Sequence, residues 1–170
     1  MTEDAAILGL DVGSRRIGVA LAEAGAITAR PLTTIVLSRG RPGAERIAAG
    51  PEARALAAIE RLVAEHRIAE VVVGLPLEAG GAEGAMAEAA RSWADALGER
   101  LGLAVALRDE RLTSSIAEGR VGPMPRGRSG GPPSREQRER YRARVDREAA
   151  AIILQDELDA RRSVTRSASR

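Results

Sequence analysis

The chain of 170 residues contains no cysteine, no lysine and no phenylalanine, and only one tryptophan, one tyrosine and one histidine. Without cysteine there is no disulfide framework, no thiol nucleophile and no thiolate metal site, which fits a reducing compartment. No apolar run approaches the ~20 residues of a membrane span. The first residues (Thr2, Glu3, Asp4) lack the basic-then-apolar layout of a signal peptide, so a cytoplasmic protein with no membrane partner is expected. The absence of lysine explains an oddity of charge. All 26 basic residues are arginine, so little titrates above neutrality, and a net charge of only +2 drifts to a pI of about 10.2.

The charge that is present is unevenly placed. Residues 1–119 carry 13 Arg against 17 acids, a net of −4, whereas residues 120–170 carry 13 Arg against 7 acids, a net of +6. A basic C-terminal part on a mildly acidic body suits a polyanionic partner, and a solvated arginine-rich surface would look the same.

Apolar runs with strand character occur at Ile7–Asp11, Ile17–Leu21, Leu32–Leu37, Val71–Leu75 and Leu103–Leu107. The first two are joined by a tight turn, Val12-Gly13-Ser14-Arg15-Arg16, directly behind the carboxylate of Asp11. Residues 38–50 read as loop. Pro51 opens a helix striped by Leu56, Ile59, Leu62 and Val63; it ends near His66, read as a structural or dipole-complementing residue. Val71-Val72-Val73-Gly74 reads as a central strand covered on both faces. A second helix runs from Glu83 to Leu101, with Trp93 in its core stripe.

Residues 121–134, rich in Gly, Pro and Arg, read as a flexible, positively charged loop. Ser134 and Gln137 have capping-box spacing for a restarted helix that includes Asp146 to Leu158. The expectation is one domain over residues 1–162, followed by a disordered tail at 163–170. Its fold class is α/β: three antiparallel strands, then two parallel strands reached through crossover helices, in a five-stranded mixed sheet flanked by helices.

That topology brings acids from three distant segments to one sheet edge, where ligands bind in open α/β folds. Asp11 ends the first strand. Asp109 and Glu110 follow the last strand on alternating faces, so one of them points at the site. Asp146 lies three, four and seven residues before Ala149, Ala150 and Ile153, on the buried side of the last helix. Converging carboxylates suit Mg²⁺ or Mn²⁺. Each acid also has a plainer reading: a turn cap for Asp11, pairing with Arg108 or Arg111 for Glu110, a helix-dipole charge for Asp146.

Four blocks in order carry a resemblance: Leu10-Asp11-Val12-Gly13-Ser14-Arg15-Arg16-Ile17-Gly18-Val19-Ala20; Val72-Val73-Gly74-Leu75-Pro76-Leu77 with Gly81-Ala82-Glu83-Gly84; Asp109-Glu110-Arg111-Leu112-Thr113-Ser114; and Val145-Asp146-Arg147-Glu148-Ala149-Ala150-Ala151-Ile152-Ile153-Leu154-Gln155. Together they fall within residues 8–158, nearly the whole chain, and the set resembles the YqgF family, the RuvC-like Holliday-junction-resolvase branch of the ribonuclease H fold. The resemblance implies a metal-dependent nuclease with Asp11, Glu110 and Asp146 as its acidic positions, and it selects Glu110 over Asp109. Family members are described as nucleases that mature the 5′ end of pre-16S ribosomal RNA, or as Holliday junction resolvases. Ser114 stands where a second Thr is usual, and the segment before the last helix is unusually rich in Gly, Pro and Arg.

The implied chemistry is phosphodiester hydrolysis at Asp11, Glu110 and Asp146 with one or two divalent ions, in two-metal sites about 4 Å apart. No side-chain nucleophile is needed, which suits a chain without cysteine. With almost no aromatics for stacking, grip on structured RNA or branched DNA falls to arginines on phosphates. Arg15, Arg16 and Arg111 near the acids, and Arg126, Arg128 and Arg142 in the basic part, are the candidates, with Tyr141 the one platform among them. Thr113 and Ser115, the latter at capping-box spacing from Glu118, read as caps of a short helix. A catalytically inactive nucleic-acid-binding module is a further reading. An actin-like ATPase fits poorly, because it needs two such Asp-x-Gly segments and the chain has one. Either a monomer or a homodimer is compatible, and symmetric junction cleavage requires two sites.

Overall fold

The computed structural model describes residues 5–37, 51–77, 84–110, 113–127 and 130–168. Its strands are β1 (Ala6–Val12), β2 (Arg16–Ala22), β3 (Arg30–Val36), β4 (Ile68–Leu75) and β5 (Ala104–Asp109). Its helices are α1 (Pro51–His66), α2 (Ala85–Leu101), α3 (Thr113–Val121) and α4 (Arg135–Ala168). The sheet order is β3-β2-β1-β4-β5. β1 pairs antiparallel with β2 and β2 with β3, while β1–β4 and β4–β5 are parallel, as the apolar runs predict. Among the described residues no helix is long and apolar enough to cross a membrane.

Strand alternation divides the core. Leu8, Leu10, Ile17, Val19, Leu21, Val71 and Val73 point to one face, where Ala55 and Ile59 of α1 and Ala94 and Leu97 of α2 cover them; Trp93 packs at its rim. Ile7, Ala20, Ala22 and Val72 point to the other, under Ala150, Ala151, Ile153, Leu154 and Leu158 of α4. Each fully buried Leu, Ile or Val among them stabilises the fold by roughly 1.5–3 kcal/mol, and each alanine by less. The smaller face has a special seat. A Cβ at Gly9 would lie 2.7 Å from Leu154 Cβ, and one at Gly18 would overlap the backbone carbonyl of Asp146. The helix therefore lies directly on β1 and β2 because those positions are glycine.

The last helix departs furthest from expectation. It is one unbroken run of 34 residues, about 50 Å long at 1.5 Å per residue. Ser134 and Gln137 do close a capping box: Gln137 N–H donates to Ser134 Oγ at 3.1 Å and Ser134 N–H donates to Gln137 Oε1 at 2.7 Å. Residues 163–168 continue the helix instead of fraying. Arg161 ties it to Glu70 of β4 and to Glu157, and the hydroxyls of Ser163, Thr165 and Ser167 donate to carbonyls four residues back.

The described part of the 121–134 segment lacks regular strands but is tied in place. Gly127 N–H bonds Gly131 O at 2.9 Å, Gln137 donates to Arg126 O, and Tyr141 O–H donates to Gly122 O at 3.0 Å. Tyr141 is thus half-buried beside Val121, Ala117 and Val145 and tethers the loop, which leaves no open stacking platform. α3 begins at Thr113, so Ser115 lies inside it and caps nothing.

Candidate active site

Asp11 shares the α4-facing side of β1 with Ile7 and Gly9, because side chains alternate along a strand. Directly across the ladder from Asp11 stands Gly18, the residue on which the backbone of Asp146 rests. On the other flank the β1–β4 register, which pairs Leu10 with Val73, leads on to Gly74. A Cβ at Gly74 would collide with Glu110 Oε2 and lie 2.7 Å from Ile153 Cδ1. Two strand glycines therefore clear the space around Asp11, one for the helix that carries Asp146 and one for the carboxylate of Glu110. An isolated glycine in a β-branched strand is a signal of close approach, and Gly18 and Gly74 carried it in the sequence.

The turn behind Asp11 is closed by Gly13 N–H donating to Arg16 O at 2.9 Å. Gly13 does not adopt positive φ; its role is spatial, since a Cβ would sit 3.0 Å from that carbonyl. Glu110 is placed by its own backbone, whose N–H donates to Leu75 O at 3.2 Å and whose carbonyl accepts from Thr113 N–H at 3.0 Å. It is thus held between the end of β5 and the start of α3.

The carboxyls feel one another's charge in pairs, Asp146 on Asp11 and Asp11 on Glu110. Burial, and then the charge of Asp146, push the Asp11 carboxyl up to about 6. Burial, then Asp11, then Asp109, push Glu110 up to about 7. Arg108 gives Glu110 no relief, because it is drawn to Glu157 at 3.3 Å and to the Asp156 carbonyl of α4. Asp146 lies eleven residues into α4, too deep for a dipole-favoured terminal charge. Its Oδ2 accepts from Arg16 Nε instead, an ion pair absent from the sequence reading because it links residues 130 apart.

Of the remaining arginines, Arg15 is exposed on the turn, Arg142 is exposed one turn before Asp146, and Arg126 is exposed on the tethered loop. Arg111 and Arg128 lie outside the described residues. His66 sits in the last turn of α1, 4.0 Å from Glu65 and away from the acidic edge.

The donor chemistry fits a hard divalent cation: three carboxylates, two of them pushed up by burial, and a cradle at Gly74 that only a missing Cβ leaves open. As the side chains stand, no three acidic or histidine groups among the described residues are gathered as a metal cluster. Asp146 faces Arg16.

The sequence model of the RuvX family, described as Holliday junction resolvase, matches residues 5–160. The chain belongs to the RuvX family. Its RuvX relatives include a protein of Chloroflexus aurantiacus named "Putative pre-16S rRNA nuclease", 45% identical over 160 residues, which covers 94% of this chain and 90% of the relative. A protein of the same name from Anaeromyxobacter dehalogenans is 43% identical over 154 residues, covering 91% and 96%. RuvC of Thermus thermophilus, solved in complex with Holliday junction substrate, shares the fold with a TM-score of 0.53 at 17% identity, covering 94% of this chain and 96% of that one. The RuvX chain thus has the ribonuclease H-like α/β fold and is a nuclease, a hydrolase of phosphodiester bonds.

Proposed function

We propose that this chain is a divalent-metal-dependent nuclease of structured nucleic acid, acting in the cytoplasm on the 5′ end of pre-16S ribosomal RNA. The observation that carries the reading is the flanking of Asp11 by Gly18 and Gly74, which lets Asp146 and Glu110 approach it from either side. Relatives spanning nearly the whole chain and named for pre-16S ribosomal RNA support that choice of substrate.

Mg²⁺ or Mn²⁺ held by Asp11, Glu110 and Asp146 would lower the pKa of an attacking water and stabilise the leaving oxygen. The residues themselves set the conditions. Glu110 and Asp11 take up protons near neutrality, so their readiness as ligands rises with pH through about 6 to 7. Arg15, exposed on the turn behind Asp11, and Arg142, exposed one turn before Asp146, offer planar forks to phosphates. With Tyr141 turned inward, recognition rests on backbone shape instead of stacked bases.

A second reading, cleavage of four-way DNA junctions, is favoured by the family description and requires a homodimer. One preparation tested against a 16S precursor, single-stranded RNA and a four-way junction, with Mn²⁺ or Mg²⁺, separates the two. Cleavage of the precursor by wild type and its loss in Asp11→Asn is the expected result. Equal cutting by both proteins would remove the activity from this site.

A further inference from the structure

The Arg16–Asp146 pair joins the two ends of the chain at the point where the acids meet. Both backbones are fixed. Arg16 starts β2, pairs with Val36 of β3 and accepts the Gly13 N–H, while Asp146 has its carbonyl seated on Gly18. Only the side chains are free to exchange partners, and at 21% and 24% exposure they are open enough to do so. Arginine–acid pairs within α4 such as Arg135–Glu139 lie one turn apart and rigidify the helix, and Glu139 also feels the charge of Arg16.

The charges decide what this pair does. Asp11, Glu110 and Asp146, with Asp109 close enough to raise Glu110, outnumber the Arg16 guanidinium, so the ionised site is acidic. A divalent cation beside these carboxylates offsets most of that charge and competes with Arg16 for Asp146; the other acid in the field of the guanidinium, Glu139, is already paired with Arg135. A guanidinium in that position binds phosphate bidentately.

We propose that Arg16 is an exchangeable positioning residue: it holds Asp146 while the site is empty of metal, and on cation binding at Asp146 it transfers to a phosphate of the nucleic-acid strand. The inference rests on the metal-dependent nuclease reading. Metal and nucleic acid are then coupled through Arg16, each favouring the other by the same factor. Arg16 also weakens metal binding in the absence of nucleic acid, which disfavours loading away from substrate.

The test is Mn²⁺ affinity by calorimetry at fixed pH and salt, for wild type, Arg16→Gln, Arg16→Lys and Arg15→Gln, each checked for a folded circular dichroism spectrum. Arg15→Gln removes the same charge one residue away. Arg16→Gln should bind Mn²⁺ about tenfold tighter than wild type, a coupling of ordinary size, and Arg16→Lys, which keeps the charge, should return close to wild type. An equal gain in Arg16→Gln and Arg15→Gln overturns the proposal, because it reduces the effect to net charge. The second readout is anisotropy of a labelled four-way junction with and without Mn²⁺. Wild type should gain affinity with the metal, and Arg16→Gln should lose most of that gain; an undiminished gain also overturns the proposal. A wild type that binds Mn²⁺ and cuts, beside an Arg16→Gln that behaves like Arg15→Gln, fails the exchange and spares the nuclease. A wild type that binds no Mn²⁺ and cuts nothing fails both.

Discussion

Replacing Asp11 by Asn should make the metal-free protein more stable at alkaline pH while abolishing cleavage. In the folded chain the Asp11 carboxyl is raised from 3.8 to about 6, first by burial and then by Asp146. A carboxyl raised on folding is easier to keep protonated in the native state than in the unfolded one. Its contribution is therefore fully present below about pH 4 and is lost as pH rises through about 6. Two units at 1.36 kcal/mol each give about 3 kcal/mol. Partial exposure and the polarity of the asparagine amide reduce this to about 2 kcal/mol at pH 8. For a domain of this size that is a rise of about 4–8 °C in Tm. The assay is thermal denaturation of both proteins in a chelator at pH 4 and pH 8. The curves should nearly coincide at the lower pH and separate at the higher, and saturating Mg²⁺ should close the gap by stabilising wild type alone. An Asn variant no more stable than wild type at pH 8 would refute the idea that Asp11 is a strained, like-charged acid.

Gly74→Ala and Gly18→Ala should fail in different ways. At Gly74 the obstacles are side-chain ends, so the fold should lose only about 1–2 kcal/mol, while displaced Glu110 lowers cleavage about 100-fold, read by comparing melting with turnover. At Gly18 the obstacle is the α4 backbone itself, so destabilisation should reach about 3 kcal/mol or more; a wild-type melt would mean that α4 does not sit directly on β2. Tyr141→Phe should cost about 1 kcal/mol and accelerate proteolytic nicking between Gly122 and Ser134, and unchanged nicking would show that its hydroxyl tethers nothing.

The sheet was legible because its signals are local. Uniformly apolar runs, a glycine turn and helical stripes between later strands leave few topologies, and parallel crossovers then put Asp11 and Glu110 at one edge. The length of α4 was not legible. Residues 135–144 and 163–168 have no apolar stripe, and their helicity depends on a capping box, Arg–Glu pairs one turn apart and the anchor from Arg161 to Glu70. Tyr141 was misread as a platform because its hydrogen-bond partner, Gly122, lies across a loop that composition alone describes as loose. At the site, residue type and period placed the acids but gave no sight of the Arg16–Asp146 pair, since spacing carries no information about contacts 130 residues apart.

The carboxylate of Asp146 rides on α4, which follows every strand of the sheet in the chain. During translation β1, β2 and β3 leave the ribosome first, and until α4 follows, Gly9 and Gly18 line only an open furrow in a half-covered sheet. Asp146 enters 135 residues after Asp11. A product stopped short of that point has neither the cover of α4 nor the carboxylate of Asp146. Order of synthesis thus sets an order of assembly: the sheet, with Asp11 and Glu110 at its edge, precedes the helix that brings Asp146 to them.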